Sequence, residues 1–170
     1  MTGFIYHEHF LKEPDRLFHR LLEVITWDNS MAARKTVSFG KAYNYSQMSY
    51  ADLPLLPELE EMLPALEAVI GFCPNNCLVN FYPDGNSKMG YHADRTEGLA
   101  PGSGIAIVSL GASRILRFKR MNDPQQLEDR ELHSGSLFCM GLEIQDLWLH
   151  AVPKTNTSNG RISLTFRQIA

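Results

Sequence analysis

The chain has few cysteines, little net charge and no long apolar run. Its three cysteines, Cys73, Cys77 and Cys139, lack the spacing of zinc sites, so we expect free thiols and a cytoplasmic protein. The first residues lack the pattern of a signal peptide, and no apolar stretch has membrane-spanning length, so we expect no membrane partner. A net charge of −3 excludes a global basic field that would attract nucleic acid, but it leaves room for a local patch.

The length of 170 residues predicts one domain over 1–170, and we expect it to be a monomer. Apolar residues recur at helical spacing over PDRLFHRLLEVITW and again over PELEEMLPALEAVIG, where Pro64 breaks or restarts the helix and Gly71 can cap it. From about Asn76 the pattern changes to short strands with turns between them. We therefore predict an α+β fold that is mainly β: a sandwich of the jelly-roll kind, backed by two N-terminal helices.

The stretch MGYHADRTEG carries a candidate metal site. If His92 and Asp94 lie on one strand, their side chains point to the same side. His150, at the end of the apparent strand LWLHAV, is the best placed third ligand. Two imidazoles and one carboxylate form the ligand set of non-haem Fe(II) oxygenases, which leaves coordination positions open. Taken alone, the His-x-Asp pair is more typical of a structural pair at the surface than of a metal site.

The C-terminal stretch RISLTFRQ alternates strictly between apolar and polar residues. Its polar face consists of Arg161, Ser163, Thr165 and Arg167. If this face meets solvent, the strand is an ordinary edge strand. If it points into the sandwich, the two guanidinium groups need anionic partners, because an unpaired buried charge costs several kcal/mol.

The stretch CLVNFY repeats this design, because Asn80 and Tyr82 share one strand face and both can donate hydrogen bonds to an acidic ligand. A keto-dicarboxylate fits the combined set. One of its ends can chelate iron, and its other carboxylate can accept the two-donor fork of an arginine.

Three features together, NFYPDGNSKMGYHAD, the late His150 and RISLTFRQ, resemble the AlkB family of Fe(II)/2-oxoglutarate-dependent dioxygenases over roughly residues 34–170. The resemblance implies a double-stranded β-helix fold and the use of Fe(II), 2-oxoglutarate and O2. It also implies oxidative demethylation of alkylated nucleobases in DNA or RNA, as in DNA repair. Single-stranded nucleic acid is the favoured substrate, because a base must leave its stack to reach such a site.

The resemblance also implies roles for individual residues, position by position. His92, Asp94 and His150 would hold Fe(II). Five residues would bind 2-oxoglutarate: Asn80, Tyr82, Arg161, Ser163 and Arg167. Residues 31–50 would form a lid that recognises the substrate, and four residues would contact the substrate: Tyr43, Tyr45, Thr96 and Glu97. The basic residues of SRILRFKR are candidates for phosphate contacts, against the alternative of a solvated edge strand.

Two positions depart from the family pattern. Thr96 stands where repair enzymes often have an acidic residue that reads the damaged base, and Ser163 stands where asparagine is usual. The first departure leaves a second function open: an AlkB-like oxygenase that acts on a small molecule, a protein or a lipid. A third alternative is a jelly-roll binding module without catalysis.

Overall fold

Alternating apolar residues in the second half of the chain form the strands of two antiparallel sheets. The structure is a computed structural model that describes residues 1–28, 34–44 and 49–170. In this part of the chain the strands are β1 (Phe4–His7), β2 (Lys35–Gly40), β3 (Asn76–Tyr82), β4 (Met89–His92), β5 (Gly104–Gly111), β6 (Arg114–Arg120), β7 (Leu127–Leu132), β8 (Leu137–Gly141), β9 (Trp148–Val152) and β10 (Arg161–Arg167). The helices are α1 (Pro14–Val24), α2 (Pro57–Glu60), α3 (Leu63–Ile70) and α4 (Ile144–Leu147).

The strands divide into a larger and a smaller sheet. The larger has the order β1-β8-β5-β10-β3-β2 and the smaller β4-β9-β6-β7. Among the described strands, six of the eight pairings join strands that are not consecutive in the chain, as expected for the predicted jelly roll. This arrangement places β10 at the centre of the larger sheet, between β3 and β5.

Helices α1, α2 and α3 pack on the outer face of the larger sheet, where one hydrophobic core forms. Leu21 of α1, Leu66 of α3 and Leu164 of β10 are fully buried in this core. Pro64 lies in the first turn of α3 and separates this helix from α2. Gly71 ends α3 in the left-handed conformation, with a φ of 79°. The predicted helical backing, its interruption at Pro64 and the cap at Gly71 are therefore all present.

A second core lies between the two sheets, and the alternation of β10 determines which residues enter it. Leu164 and its apolar neighbours face the helices, so the polar residues face the interior between the sheets. Arg161, Ser163, Thr165 and Arg167 are between 2% and 7% exposed. Of the two alternatives for this strand, the structure has the inward one.

Three features differ from the sequence-based expectations. The prediction that His92 and Asp94 share one strand is wrong, because β4 ends at His92 and Asp94 lies in the loop that follows. Strand β1 and the short helix α4 were not predicted. Arg114 is buried and donates hydrogen bonds to backbone carbonyl groups, among them that of Pro153 at 2.7 Å, so it does not face solvent as a phosphate contact would.

The structure also bears on the expectations about the cysteines and about membrane-spanning segments. All three cysteines are free. Among the described residues, no helix combines the length and the apolar character that a membrane crossing requires.

We expect Leu164→Ala to lower the free energy of unfolding by about 2–5 kcal/mol, because it removes a fully buried side chain and leaves a cavity between β10 and the helices. Urea unfolding of the purified variant measures this change. Leu127→Ala, at a side chain that is 49% exposed on an edge strand, is the matched control and should change stability by less than about 0.5 kcal/mol. Equal effects of both substitutions would contradict this placement of the core.

Candidate active site between the two sheets

A cavity of about 320 Å³ opens between the sheets, and most of the predicted site residues line it. The inner faces of β3 and β10 form one wall, while the end of β4, the loop after it and β9 provide the side chains with metal-binding atoms. Nine of the predicted residues are at this cavity: Tyr43, Asn80, Tyr82, His92, Asp94, His150, Arg161, Ser163 and Arg167. Thr96 and Glu97 do not line it, and Tyr45 lies outside the described residues.

Three side chains with metal-binding atoms converge at one end of this cavity. The Nε2 atoms of His92 and His150 both lie 3.3 Å from Oδ1 of Asp94. One potential ligand atom from each residue lies within 4.8 Å of the others. Ligand atoms bound about 2.1 Å from one metal ion at right angles are about 3 Å apart, so this spacing suits a single ion. These three atoms would hold one side of a bound ion and leave its other coordination positions open for further ligands.

The pairing of β4 with β9 brings the two histidines together, because His92 and His150 are partners across the strands. The Nδ1 atom of His92 lies 2.8 Å from the carbonyl oxygen of Gly90. In the tautomer that would bind a metal ion, Nδ1 donates to that carbonyl, and Nε2 would present its lone pair to an ion held beside Asp94. The fold therefore orients this imidazole as a metal ligand.

The buried carboxylate of Asp94 is held in its ionised form by cations and hydrogen bonds. Burial by itself raises the pKa of Asp94, but the nearby Arg167 guanidinium and the hydrogen bonds from both histidines outweigh burial and hold the pKa well below its ordinary value. Arg167 donates to Oδ2 of Asp94, which leaves Oδ1 directed at the two imidazoles.

Burial also sets the protonation state of His150, whose side chain is 3% exposed. Loss of water lowers the pKa of this imidazole, although the neighbouring Asp94 carboxylate opposes the effect. A neutral imidazole and an ionised carboxylate are the forms that bind a metal ion. Asp94 and His150 therefore have their metal-binding protonation states at neutral pH.

A second buried cation lies along the same strand as Arg167. Arg161 is 2% exposed; its Nη2 donates to Oγ of Ser109 at 3.0 Å, and its guanidinium lies over the ring of Tyr82. Within the described part of the chain, no carboxylate lies within ion-pair distance of this guanidinium, and its Nε has no hydrogen-bond acceptor. Burial lowers the pKa of Arg161 to about 10. A buried cation in this condition gains stability from an anion in the cavity.

Asn80 and Ser163 are adjacent across β3 and β10, in the same row as Ser109 on β5. The Oδ1 atom of Asn80 accepts a hydrogen bond of 2.8 Å from Nε of Arg34. The amide N–H groups of Asn80 therefore remain for an acidic ligand. Ser163 contributes only a short hydroxyl group beside them.

The ring of Tyr43 is not exposed as a surface on which a base could stack. Its side chain is 5% exposed, with the Arg167 guanidinium 4.0 Å from the centre of its ring. Its hydroxyl donates to the carbonyl of Arg95 at 3.1 Å and accepts from the N–H of Arg95 at 3.0 Å. The ring thus fastens the segment around residues 41–44 to the loop that carries Asp94.

Three polar residues at this site were not predicted for it. Arg34 is 9% exposed and lines the cavity. Ser109 and Gln145 contact Arg161 and Asp94, respectively. The stretch GIAIVSLG held one signal for Ser109, a single hydroxyl in an apolar strand, whereas the sequence around Gln145 has no periodicity that marks it.

Comparisons with known proteins agree with this geometry. A sequence model described as the 2OG-Fe(II) oxygenase superfamily matches residues 8–167. DNA oxidative demethylase ALKBH2 from mouse is 31% identical over 92% of this chain and 75% of its own length. The human ALKBH2 protein is 33% identical over 80% of this chain, and this match spans only 56% of the human protein. Rat alpha-ketoglutarate-dependent dioxygenase alkB homolog 3 is 28% identical over 94% of this chain and 61% of its own length.

A solved structure shares the fold. OsALKBH1 superimposes with a TM-score of 0.72 over 99% of both chains, at 22% sequence identity. This similarity confirms the predicted jelly roll. The fold and the superfamily match define a 2OG-Fe(II) oxygenase, whose cofactors are Fe(II), 2-oxoglutarate and O2. Within that class, the chain belongs to the AlkB family of Fe(II)/2-oxoglutarate-dependent dioxygenases.

We expect the metal-free protein to lose stability as the pH falls below about 6.5, because the folded-state pKa of His150 lies below that ordinary value. The unfolded state then takes up a proton that the folded state does not, so stability is present above pH 6.5 and declines as the pH falls. Urea unfolding in the presence of EDTA at several pH values between about 5 and 8 measures the slope. His150→Asn should flatten this slope, and an unchanged slope would contradict the assignment.

Proposed function

We propose that this chain oxidatively demethylates alkylated nucleobases in DNA or RNA, with Fe(II) bound by His92, Asp94 and His150. One observation carries the proposal: three metal-binding atoms meet in a cavity that also contains a buried guanidinium without a carboxylate partner among the described residues. The ALKBH2 relatives, named as DNA oxidative demethylases, support the choice of substrate class.

The residues of the cavity fit the iron and its co-substrate. Nε2 of both histidines and Oδ1 of Asp94 would hold the ion and leave its other positions open to the cavity. Arg161 would donate two parallel hydrogen bonds to the distal carboxylate of 2-oxoglutarate, since this guanidinium is buried without a carboxylate partner among the described residues. Tyr82 would donate to the same molecule, because the acceptor of its hydroxyl among the described residues is the weakly accepting sulfur of Met89 at 3.9 Å.

The remaining polar residues of β3 and β10 would orient the other end of the co-substrate. Asn80 would donate through its amide, Ser163 through its hydroxyl, and Arg167 would lie at the iron-proximal end, where it already contacts Asp94. Because Ser163 has one short donor, we expect it to contribute less than an amide side chain at this position.

When bound, iron with 2-oxoglutarate and O2 supplies an oxidant for an unreactive C–H bond, yielding succinate and CO2. A hydroxylated N-methyl group is an unstable hemiaminal that releases formaldehyde, so the net reaction is demethylation. The task of the protein is positioning and electrostatics. The low pKa of Asp94 and the neutral His150 keep the ligands ready for metal, while burial of Arg161 strengthens its grip on a carboxylate.

Residues 31–50 remain our proposed substrate lid within a single domain over 1–170. Arg34 and Tyr43 support this proposal, because both line the cavity from this segment. Since Tyr43 is buried and fastens the metal-binding loop, the stacking role that the sequence suggests falls to Tyr45, outside the described residues. Thr96 and Glu97 follow the metal loop, and Glu97 forms a 3.5 Å ion pair with Arg95. A preference for single strands, a monomeric state and a cytoplasmic location also stay predictions.

We expect Arg161→Lys to weaken 2-oxoglutarate binding about 10- to 100-fold, because an ammonium group replaces a fork that makes two charge-assisted hydrogen bonds. Titration with 2-oxoglutarate in the presence of Mn²⁺ measures the dissociation constant without turnover. Arg117→Lys, at an exposed ion pair with Asp129, is the matched control and should leave it unchanged. An unaltered dissociation constant in Arg161→Lys would place the distal carboxylate elsewhere.

We expect formaldehyde release from an N-methylated single-stranded oligonucleotide, with less from the same lesion in a duplex and from the free methylated nucleoside. Each reaction contains Fe(II), 2-oxoglutarate and O2, and succinate is measured in parallel. Asp94→Ala is the control and should lose both products, because it removes a metal ligand.

The two readouts separate the alternative functions. Succinate without formaldehyde from any of the three substrates would favour an AlkB-like oxygenase that acts on a small molecule, a protein or a lipid. Absence of both products from iron-loaded wild-type protein would contradict an enzymatic function and favour a binding module.

A further inference from the structure

The loop that carries Asp94 has no strand partner, so its backbone groups need other partners. Strand β4 ends at His92, and residues 93–96 have no regular secondary structure. Two side chains from distant parts of the chain bind this backbone. Gln145 accepts the N–H of Asp94 at 2.8 Å, and Tyr43 binds both backbone groups of Arg95. The position of the Asp94 backbone therefore depends on residues outside its own loop.

Gln145 is well placed to act as a fixed support. It is 3% exposed and belongs to α4, which ends directly before β9, the strand that carries His150. Its Nε2 donates to the sulfur of Met140 at 3.3 Å. That contact orients the amide so that Oε1, and not the NH2 group, faces the N–H of Asp94.

We propose that Gln145 is a positioning residue for the metal site: its Oε1 fixes the Asp94 backbone relative to His150, so that the carboxylate stays in ligand position. The inference rests on the proposed function, in which Asp94 and His150 bind Fe(II). Gln145 does not touch the metal and acts only through the backbone of Asp94. Its side chain joins the loop that carries one ligand to the segment that carries another.

The physical effect is preorganisation of the ligand set. Two of the ligand side chains belong to paired strands, whereas Asp94 belongs to a loop. A loop residue that is free to move must be ordered when the ion binds, and that ordering weakens the binding. A hydrogen bond that orders the loop beforehand removes this cost, and outer partners of metal ligands typically change metal affinity 10- to 100-fold.

Mn²⁺ binding to the full chain, without co-substrate, tests the proposal by calorimetry and by the electron paramagnetic resonance spectrum of the bound ion. Gln145→Met removes the acceptor at similar length and should weaken Mn²⁺ binding about 10- to 100-fold. Gln145→Glu keeps an oxygen acceptor and loses the donor to Met140, so it should bind close to wild type. Asp146→Asn, at an exposed side chain on the same helix, is the matched control and should bind as wild type does.

Amide exchange distinguishes positioning from a general loss of structure. In metal-free Gln145→Met, we expect the N–H of Asp94 to exchange faster while amides of β10 keep their protection. We also expect saturating Fe(II) to restore most of kcat, since the variant lowers metal affinity and leaves the ligands intact. Should Gln145→Met fail to fold, Gln145→Asn, which withdraws the acceptor by one methylene, gives the same comparison.

Three outcomes would overturn the inference. Unchanged Mn²⁺ affinity in Gln145→Met, with tight wild-type binding, would overturn the positioning role alone. Equal weakening in the Glu and Met variants would assign the effect to the Met140 contact or to packing. A wild-type chain that binds no Mn²⁺ would overturn the proposed function as well, which makes the two failures distinguishable.

Discussion

Burial of positive charge on the inner face of β10 is the constraint on which the rest of this structure depends. Strict alternation along the strand directs its apolar residues to the helices, so Arg161 and Arg167 must enter the space between the sheets. Each guanidinium then needs an anion or a substitute for water. Arg167 has the carboxylate of Asp94, whereas Arg161 has a serine hydroxyl and an aromatic ring. One end of the cavity therefore has the three candidate metal ligands, and the other has a guanidinium without a carboxylate partner among the described residues.

Much of this arrangement is predictable from the sequence, because it follows from period-two patterns. The alternation in RISLTFRQ is strong enough to define which residues share a face, and the same holds for Asn80 and Tyr82 on β3. If that polar face points inward, it predicts a ligand site, since two arginines in an apolar setting require an anionic partner. The sequence pattern made His150 the best placed third ligand, but its pairing with His92 across β4 and β9 was not predicted, because strand register is not visible in either segment alone.

The parts that could not be predicted depend on loops and on single long-range contacts. Asp94 lies in a loop and not on β4. The expectation of a shared strand therefore predicted correctly that Asp94 is close to His92, but it predicted the wrong local structure. Gln145 lies in one turn of helix with no amphipathic pattern, and its role depends on a backbone N–H that is 51 residues away in the chain. Tyr43 has an aromatic side chain of the kind that stacks on bases, but tertiary contacts bury it against Arg167. Periodicity carries no information about such contacts.

The charge of the whole chain and the charge of its cavity have opposite signs, and this contrast has a functional consequence. The chain has a net charge of −3, yet among the described residues four arginines and one carboxylate line the cavity. A bound divalent cation adds to that positive charge, and a keto-dicarboxylate with two negative charges neutralises only part of it. An acidic substrate is then favoured at the cavity and is weakly repelled by the rest of the surface. A polyanion such as nucleic acid would therefore be attracted only locally, which restricts productive binding to the segment at the cavity.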